Sequence, residues 1–167
     1  MYEFLDILGL FACFVFVIFL ISSLIGVPCL PTHLKQAKKM IALANLKPGM
    51  KAVDLGSGNG RLLFLAAKTG ASSVGYELNP ILVGWTKIAI FLRRFTGQVT
   101  VHLKSIYKAD RKEVDVVFAF LMPGPMKLLG PKLFSELKPG ARIYSYTFSI
   151  PDHEPISREN GIWVYQV

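Results

Sequence analysis

Apolar positions recur along the chain in different rhythms, and each rhythm predicts a different element. From Ile7 to Val27, 21 successive positions carry no charge and are mostly Leu, Ile, Val and Phe. At about 1.5 Å per residue a helix of that length reaches roughly 30 Å, the thickness of a bilayer's hydrocarbon core, so residues 1–27 are expected to form a transmembrane anchor. A cleaved signal peptide would need a basic start, whereas Tyr2, Glu3 and Asp6 precede the run. A buried core helix would be shorter and show a polar face. Residues 28–46 read as a linker and a first helix. Pro28, Pro31 and Thr32 end the apolar run, Thr32 can cap a helix reaching about Leu46, and Ala37, Met40, Ile41 and Ala44 fall on one of its faces.

Over residues 47–167 short apolar runs alternate with helical stripes. After the turn Lys47-Pro48-Gly49, the run Ala52–Leu55 predicts a strand that enters Gly56-Ser57-Gly58-Asn59-Gly60; Arg61–Lys68 predicts a helix closed by Gly70, and Ser72–Glu77 the next strand. Asn79-Pro80 is an N-cap followed by a first-turn proline, with Ile81, Trp85, Ile88 and Leu92 at helical spacing and Arg93, Arg94 and Gly97 at the end. Further strands are expected at Val99–Leu103, Val114–Leu121, Arg142–Phe148 and Ile162–Val167, with Met122-Pro123-Gly124-Pro125 a break and a helix from about Met126 to Leu137. The alternation implies an α/β domain, a three-layer, mostly parallel sheet.

Charge sharpens the picture. The chain carries 19 Lys and Arg against 11 Asp and Glu, with a mean hydropathy of +0.44, which excludes a disordered chain. Every Lys and Arg lies at or after Lys35, so the part beyond the apolar run is near +10. Lys35, Lys38 and Lys39 close to the helix end orient the globular part toward the cytoplasm. Next to a membrane helix such a surface suits anionic headgroups, and no nucleic acid is expected as partner. Cys13 and Cys29 stand too far apart along a helix to bridge, and no metal-ligand spacing occurs.

The candidate chemistry sits in the glycine loop. In an open α/β sheet ligands bind at the carboxyl ends of the strands, and glycines there let the backbone turn sharply and approach a ligand. The dinucleotide fingerprint would need a third glycine where Arg61 stands; the pattern is instead Asp-Leu-Gly-Ser-Gly-Asn-Gly, with Glu77 ending the second strand where a carboxylate can take ribose hydroxyls.

Val53–Gly60 and Val74–Pro80 resemble motif I and the following motif of class I, seven-strand S-adenosylmethionine methyltransferases, whose sheet is Rossmann-like. From Val27 onward the chain is also similar to the small membrane-anchored lysine methyltransferases that modify the adenine nucleotide translocase and the c subunit of ATP synthase. The likeness lies in Pro28-Cys29-Leu30-Pro31-Thr32, Tyr76–Pro80 with Leu82-Val83-Gly84, Pro123, Leu137–Arg142 and Trp163-Val164-Tyr165. The resemblance implies S-adenosyl-L-methionine as cofactor. Gly56, Ser57, Gly58 and Gly60 would pack on its methionine part with Asp54 near its amino group, Glu77 with Asn79 would hold the ribose, Ser105 and Ile106 would meet the adenine through their backbones, and Thr32 would close over it. The chain departs from the family pattern at Asn59 and Ser105, where acids are usual. Leu121, Met122, Pro123 and Tyr146 are the expected substrate walls, and Asp152, His153 and Glu154 read either as steering a basic acceptor or, at least as well, as a solvated loop before the terminal strand. No general base is assigned. The implied acceptor is a lysine of a membrane protein; a lipid or hydrophobic small molecule, or a non-enzymatic cofactor-binding role, are the alternatives. No Arg-rich presequence precedes the anchor, so a bacterial inner membrane is expected rather than a mitochondrial one.

Overall fold

The computed structural model describes residues 6–7, 9–17 and 33–167. Its elements are α1 (Leu34–Ala44), β1 (Lys51–Leu55), α2 (Arg61–Ala67), β2 (Ser72–Glu77), α3 (Pro80–Leu92), β3 (Val99–Leu103), a 3-10 turn (Ile106–Lys108), β4 (Val116–Ala119), α4 (Pro123–Glu136), β5 (Arg142–Tyr146), β6 (Ser157–Glu159) and β7 (Ile162–Gln166). The strands form one sheet in the order β3-β2-β1-β4-β5-β7-β6. β1 to β5 run parallel, and β7 is antiparallel to both β5 and β6. This is the seven-strand, Rossmann-like arrangement, with the order reversing between β1 and β4.

Alternation along the strands sends side chains into two cores. Val53, Leu55, Val117, Ala119 and Ile143 meet Met126, Leu129 and Leu133 of α4 on one face. Ala52, Val116, Phe118 and Tyr144 meet Ala37, Met40 and Ala44 of α1 and Leu62 and Ala66 of α2 on the other. The four residues of β4 are all buried, as a central strand covered on both faces requires.

Several boundaries differ from the expected ones for local reasons. α1 begins at Leu34, after His33 at the cap position, which makes no side-chain cap, and stops at Ala44 because Asn45 turns left-handed at φ 46°. Thr32 lies outside the described residues. α4 starts at Pro123, three residues early, because prolines in a first turn lack only N–H groups that the helix would leave unbonded. β5 ends at Tyr146, since Thr147 takes φ 74°. β6 was not expected: its three residues are all exposed, so no alternation announces it.

The largest difference concerns α3. An apolar stripe ordinarily faces the core. Here the buried phase is Val83, Thr86 and Ile90, and the stripe Ile81, Trp85, Ile88 and Leu92 faces outward. Of the expected anchor, residues 9–17 are helical and Leu10, Phe11, Phe14 and Phe16 are exposed. No helix among the described residues is long and apolar enough to cross a membrane. Residues 8 and 18–27 of the apolar run lie outside that description.

Candidate active site

β1 and β2 end side by side, Leu55 opposite Tyr76, and the loop leaving β1 is tied to β2 at three successive residues. The Gly56 and Ser57 amides donate to the Tyr76 carbonyl at 2.9 and 3.1 Å, and the Gly58 amide donates to Glu77 Oε2 at 2.9 Å. The loop closes when Gly60 N–H donates to Ser57 O at 2.8 Å. Gly60 has φ +73°, and a Cβ there would lie 2.8 Å from Thr86 Cγ2, so only glycine fits. The fully buried Thr86 adds a hydroxyl bond to Gly58 O at 3.4 Å. Thr86 is a loop-positioning residue that the pattern alone does not reveal; a hydroxyl in the buried phase with Val83 and Ile90 is its one trace. The amides of Gly56, Ser57, Gly58 and Gly60 are spent on holding the loop's shape, so what these four residues can offer a ligand is backbone packing surface.

Glu77 is half-buried and held by three amides: Gly58 on Oε2, and Leu78 and Asn79, both at 2.8 Å, on Oε1. A carboxylate has about four acceptor sites, so the one remaining is on Oε2. Asn79 is buried, and its Oδ1 accepts from Ile81 and Leu82 N–H at 3.0 and 3.3 Å. It caps α3, and its own amide helps to fix Glu77.

Asp54, one residue before the end of β1, is buried beside this carboxylate. Loss of water, and then the negative charge of Glu77, push its pKa from 3.8 to about 7. Ser57 Oγ is buried without a hydrogen-bond partner among the described residues. Ser57 Oγ faces β2, 2.6 Å from where a Cβ on Gly75 would stand, so the acid that burial keeps protonated is the group here that a cationic, hydrogen-bonding ligand would satisfy.

On the β4 side, Leu121 is fully buried, its Cδ2 3.5 Å from where a Cβ on Gly56 would stand. Met122 and Pro123 are exposed at the start of α4. Tyr146 packs on Phe120 with ring centroids 5.0 Å apart. Phe120 thus joins the expected wall; it ends the apolar run of β4 but reads there as one more core residue. At the β2–β3 side Ser105 caps the 3-10 turn, accepting from Tyr107 N at 3.4 Å, and Ile106 is buried. Their carbonyls accept from Lys108 and Ala109, and Ile106 O also takes the Arg111 guanidinium, so the Ile106 carbonyl is fully engaged within the chain.

Asp152, His153 and Glu154 are placed elsewhere. The His153 ring stacks on Phe134 at 3.8 Å, and Phe134 lies about 16 Å along α4 from the crevice. The loop descends toward the amino end of the sheet, where Ile150 N–H donates to the Tyr165 hydroxyl at 2.9 Å. The trio does not line the crevice, which corrects the expected steering role.

Residues 54–157, from the buried acid to the start of β6, match the family described as ANTKMT methyltransferase domain. The chain belongs to this methyltransferase family. An adenine nucleotide translocase lysine N-methyltransferase from Mus musculus is 34% identical over 84% of this chain and 63% of its own length. A protein-lysine N-methyltransferase from Saccharolobus islandicus is 33% identical over 77% of this chain and 81% of its own. Among solved structures, an RNA methyltransferase from Salinibacter ruber in complex with S-adenosyl-L-homocysteine is 32% identical, with a TM-score of 0.75 over 81% of this chain and 91% of that one. The chain spans about three-fifths of the length of the mouse relatives it matches. Within this methyltransferase family member, the matched segment contains the glycine loop, Glu77, the 3-10 turn and the β4 wall, and Thr32 falls before it.

Proposed function

We propose that this family member transfers a methyl group from S-adenosyl-L-methionine to a lysine of a membrane protein, with residues 1–27 as a single-pass anchor and the domain on the cytoplasmic side. The observation that carries the cofactor is the pair of acids at the ends of adjacent strands. Glu77 is fixed by three amides with an acceptor site left over, and Asp54 is buried with its proton held to about pH 7. A ribose hydroxyl suits the first and an amino group the second. The residues present therefore fit the cofactor.

Bound there, S-adenosyl-L-methionine supplies a methyl group activated by a positively charged sulfur. The chain's own work is alignment and exclusion of water. A lysine amine has a reference pKa of about 10.4 and attacks only when neutral. Phe120, Leu121 and Tyr146 make an apolar approach that penalises the ammonium form, and the exposed Met122 and Pro123 border its mouth. The lysine acceptor is supported by the names of the mouse and Saccharolobus relatives, and the anchor by the uncharged run and by the exposed apolar residues of its described part. The Salinibacter structure, named an RNA methyltransferase, supports a nucleic-acid acceptor as the second reading.

Calorimetry should show S-adenosyl-L-methionine binding, and preference for a nicotinamide dinucleotide would overturn the cofactor. Mass spectrometry of membranes from a deletion strain should show loss of methyl groups on a membrane-protein lysine. Unchanged protein with an altered lipid or RNA methylation profile would overturn the acceptor.

A further inference from the structure

The outer face of α3 is apolar and has no partner among the described residues. Trp85 is 65% exposed and Leu92 72%; with Ile81 and Ile88 they form a stripe along all three turns, and Phe91 at 76% widens it. The stripe lies opposite Val83, Thr86 and Ile90, which attach the helix to the sheet. Every exposed large side chain on it is therefore surplus to the fold.

Charge says what covers it. From residue 78 to residue 109, through α3 and the edge strand β3, the chain carries Lys87, Arg93, Arg94, Lys104 and Lys108 and not one Asp or Glu. Lys87 flanks the stripe, Arg93 and Arg94 close its end, and Lys104 follows the exposed Leu103 at the end of β3. A second copy of the chain would set two such cationic faces against each other, which like-charge repulsion opposes. An apolar stripe containing Trp and rimmed only by cations is the composition of a helix lying in the headgroup region of an anionic bilayer.

We infer that α3 is a second membrane contact: it lies in the plane of an anionic leaflet, with Ile81, Trp85, Ile88 and Leu92 at the acyl boundary and Lys87, Arg94, Lys104 and Lys108 toward phosphates, while the Arg93 guanidinium lies over the Phe64 ring, 4.6 Å from its centroid. The inference goes beyond the proposed methyl transfer and does not depend on it. Because α3 starts three residues after Glu77, such docking holds the mouth of the crevice at headgroup level, where a tether alone would let it tumble.

The test uses the full chain in vesicles of brominated phosphatidylcholine, with and without phosphatidylserine. Its two tryptophans report opposite edges of the sheet, and Trp163 is engaged with Thr147 O and Arg158. Comparing wild type with Trp85→Phe isolates the Trp85 signal. In vesicles containing phosphatidylserine, Trp85 should shift to shorter wavelength and lose roughly half its emission to the bromines. Trp163 should not, and the effect should shrink at high salt and in the Lys87→Gln/Arg94→Gln double variant. Equal quenching of both tryptophans, or none of Trp85, would overturn the inference. So would a blue shift that grows with protein concentration without lipid, which would give the face to a second copy.

Discussion

The two ends of the sheet treat the same side chain in opposite ways. At the amino end Asp115, just before β4, accepts the Lys51 amide at 2.7 Å and meets Lys138 Nζ at 2.6 Å. Burial pushes its pKa up, but the Lys138 hydrogen bond and the Lys51 amide pull it further down, and it ends below the usual carboxylate range. At the carboxyl end Asp54 has, among the described residues, another acid as its charged neighbour, and its pKa rises to about 7. Concavity does not mark out the carboxyl end, because a hollow of about 400 Å³ lies at the amino end, between Asn45, Met50, Lys138 and Arg142. Chemistry does. One end closes its charges on each other to hold β1, β4 and the β5 approach together; the other leaves an acid uncompensated, at a cost to the unliganded fold that a cation would relieve.

Removing the uncompensated acid should have the largest effect. Above an unfolded-state pKa of 3.8 the folded chain keeps a proton on Asp54 that the unfolded chain releases, so stability falls as pH rises from 3.8 to about 7 and stays reduced beyond it. Asp54→Asn should therefore stabilise the free protein above pH 7 by up to about 4 kcal/mol, flatten that part of the pH profile, and weaken cofactor binding. Thermal unfolding across pH reads the first, and no gain above pH 7 would remove the buried charge from the account. In the unchanged protein, cofactor binding near pH 6 should release a proton, seen as a dependence of calorimetric heat on the buffer's protonation enthalpy; identical heats in all buffers would show that nothing cationic settles beside Asp54.

Glu77→Ala comes next, with cofactor binding weakened by about 1.5–3 kcal/mol for one charge-assisted bond. Calorimetry measures it, and an unchanged affinity would take Glu77 out of the site. Asn79→Ala, which uncaps α3, should cost about 1 kcal/mol of stability in urea unfolding, and no change would deny the cap. Asp115→Asn should lower the melting temperature least. Its folded pKa is depressed, so its contribution is present above the unfolded pKa and lost as pH falls through the folded one. A loss that instead grew toward acid pH would contradict the pairing.

What could be read from the sequence is whatever is written within a few residues. The cap and first-turn proline at Asn79-Pro80, the end of β2 at Glu77 and the glycine loop all appear where expected, because each depends on backbone angles and neighbouring donors. The outward stripe of α3 was not legible as such: spacing marks a face, but the choice between core and surface is made by the sheet, which here takes the phase containing Thr86. The tie from Gly58 to Glu77 spans 19 residues and belongs to the meeting of two strands. His153 was misplaced for the same reason, since nothing near it in the chain announces Phe134.

The three ties between the glycine loop and β2 also bear on the timing of recognition. Since Gly56, Ser57 and Gly58 are bonded to Tyr76 and Glu77 through the chain's own groups, the glycine loop and its fixed carboxylate move as one body. A ligand meets a finished surface and need not wait for a loop to order, so its arrival is set by diffusion and orientation. Differences between tight and weak ligands at this site then belong to residence time, to how long each stays once seated.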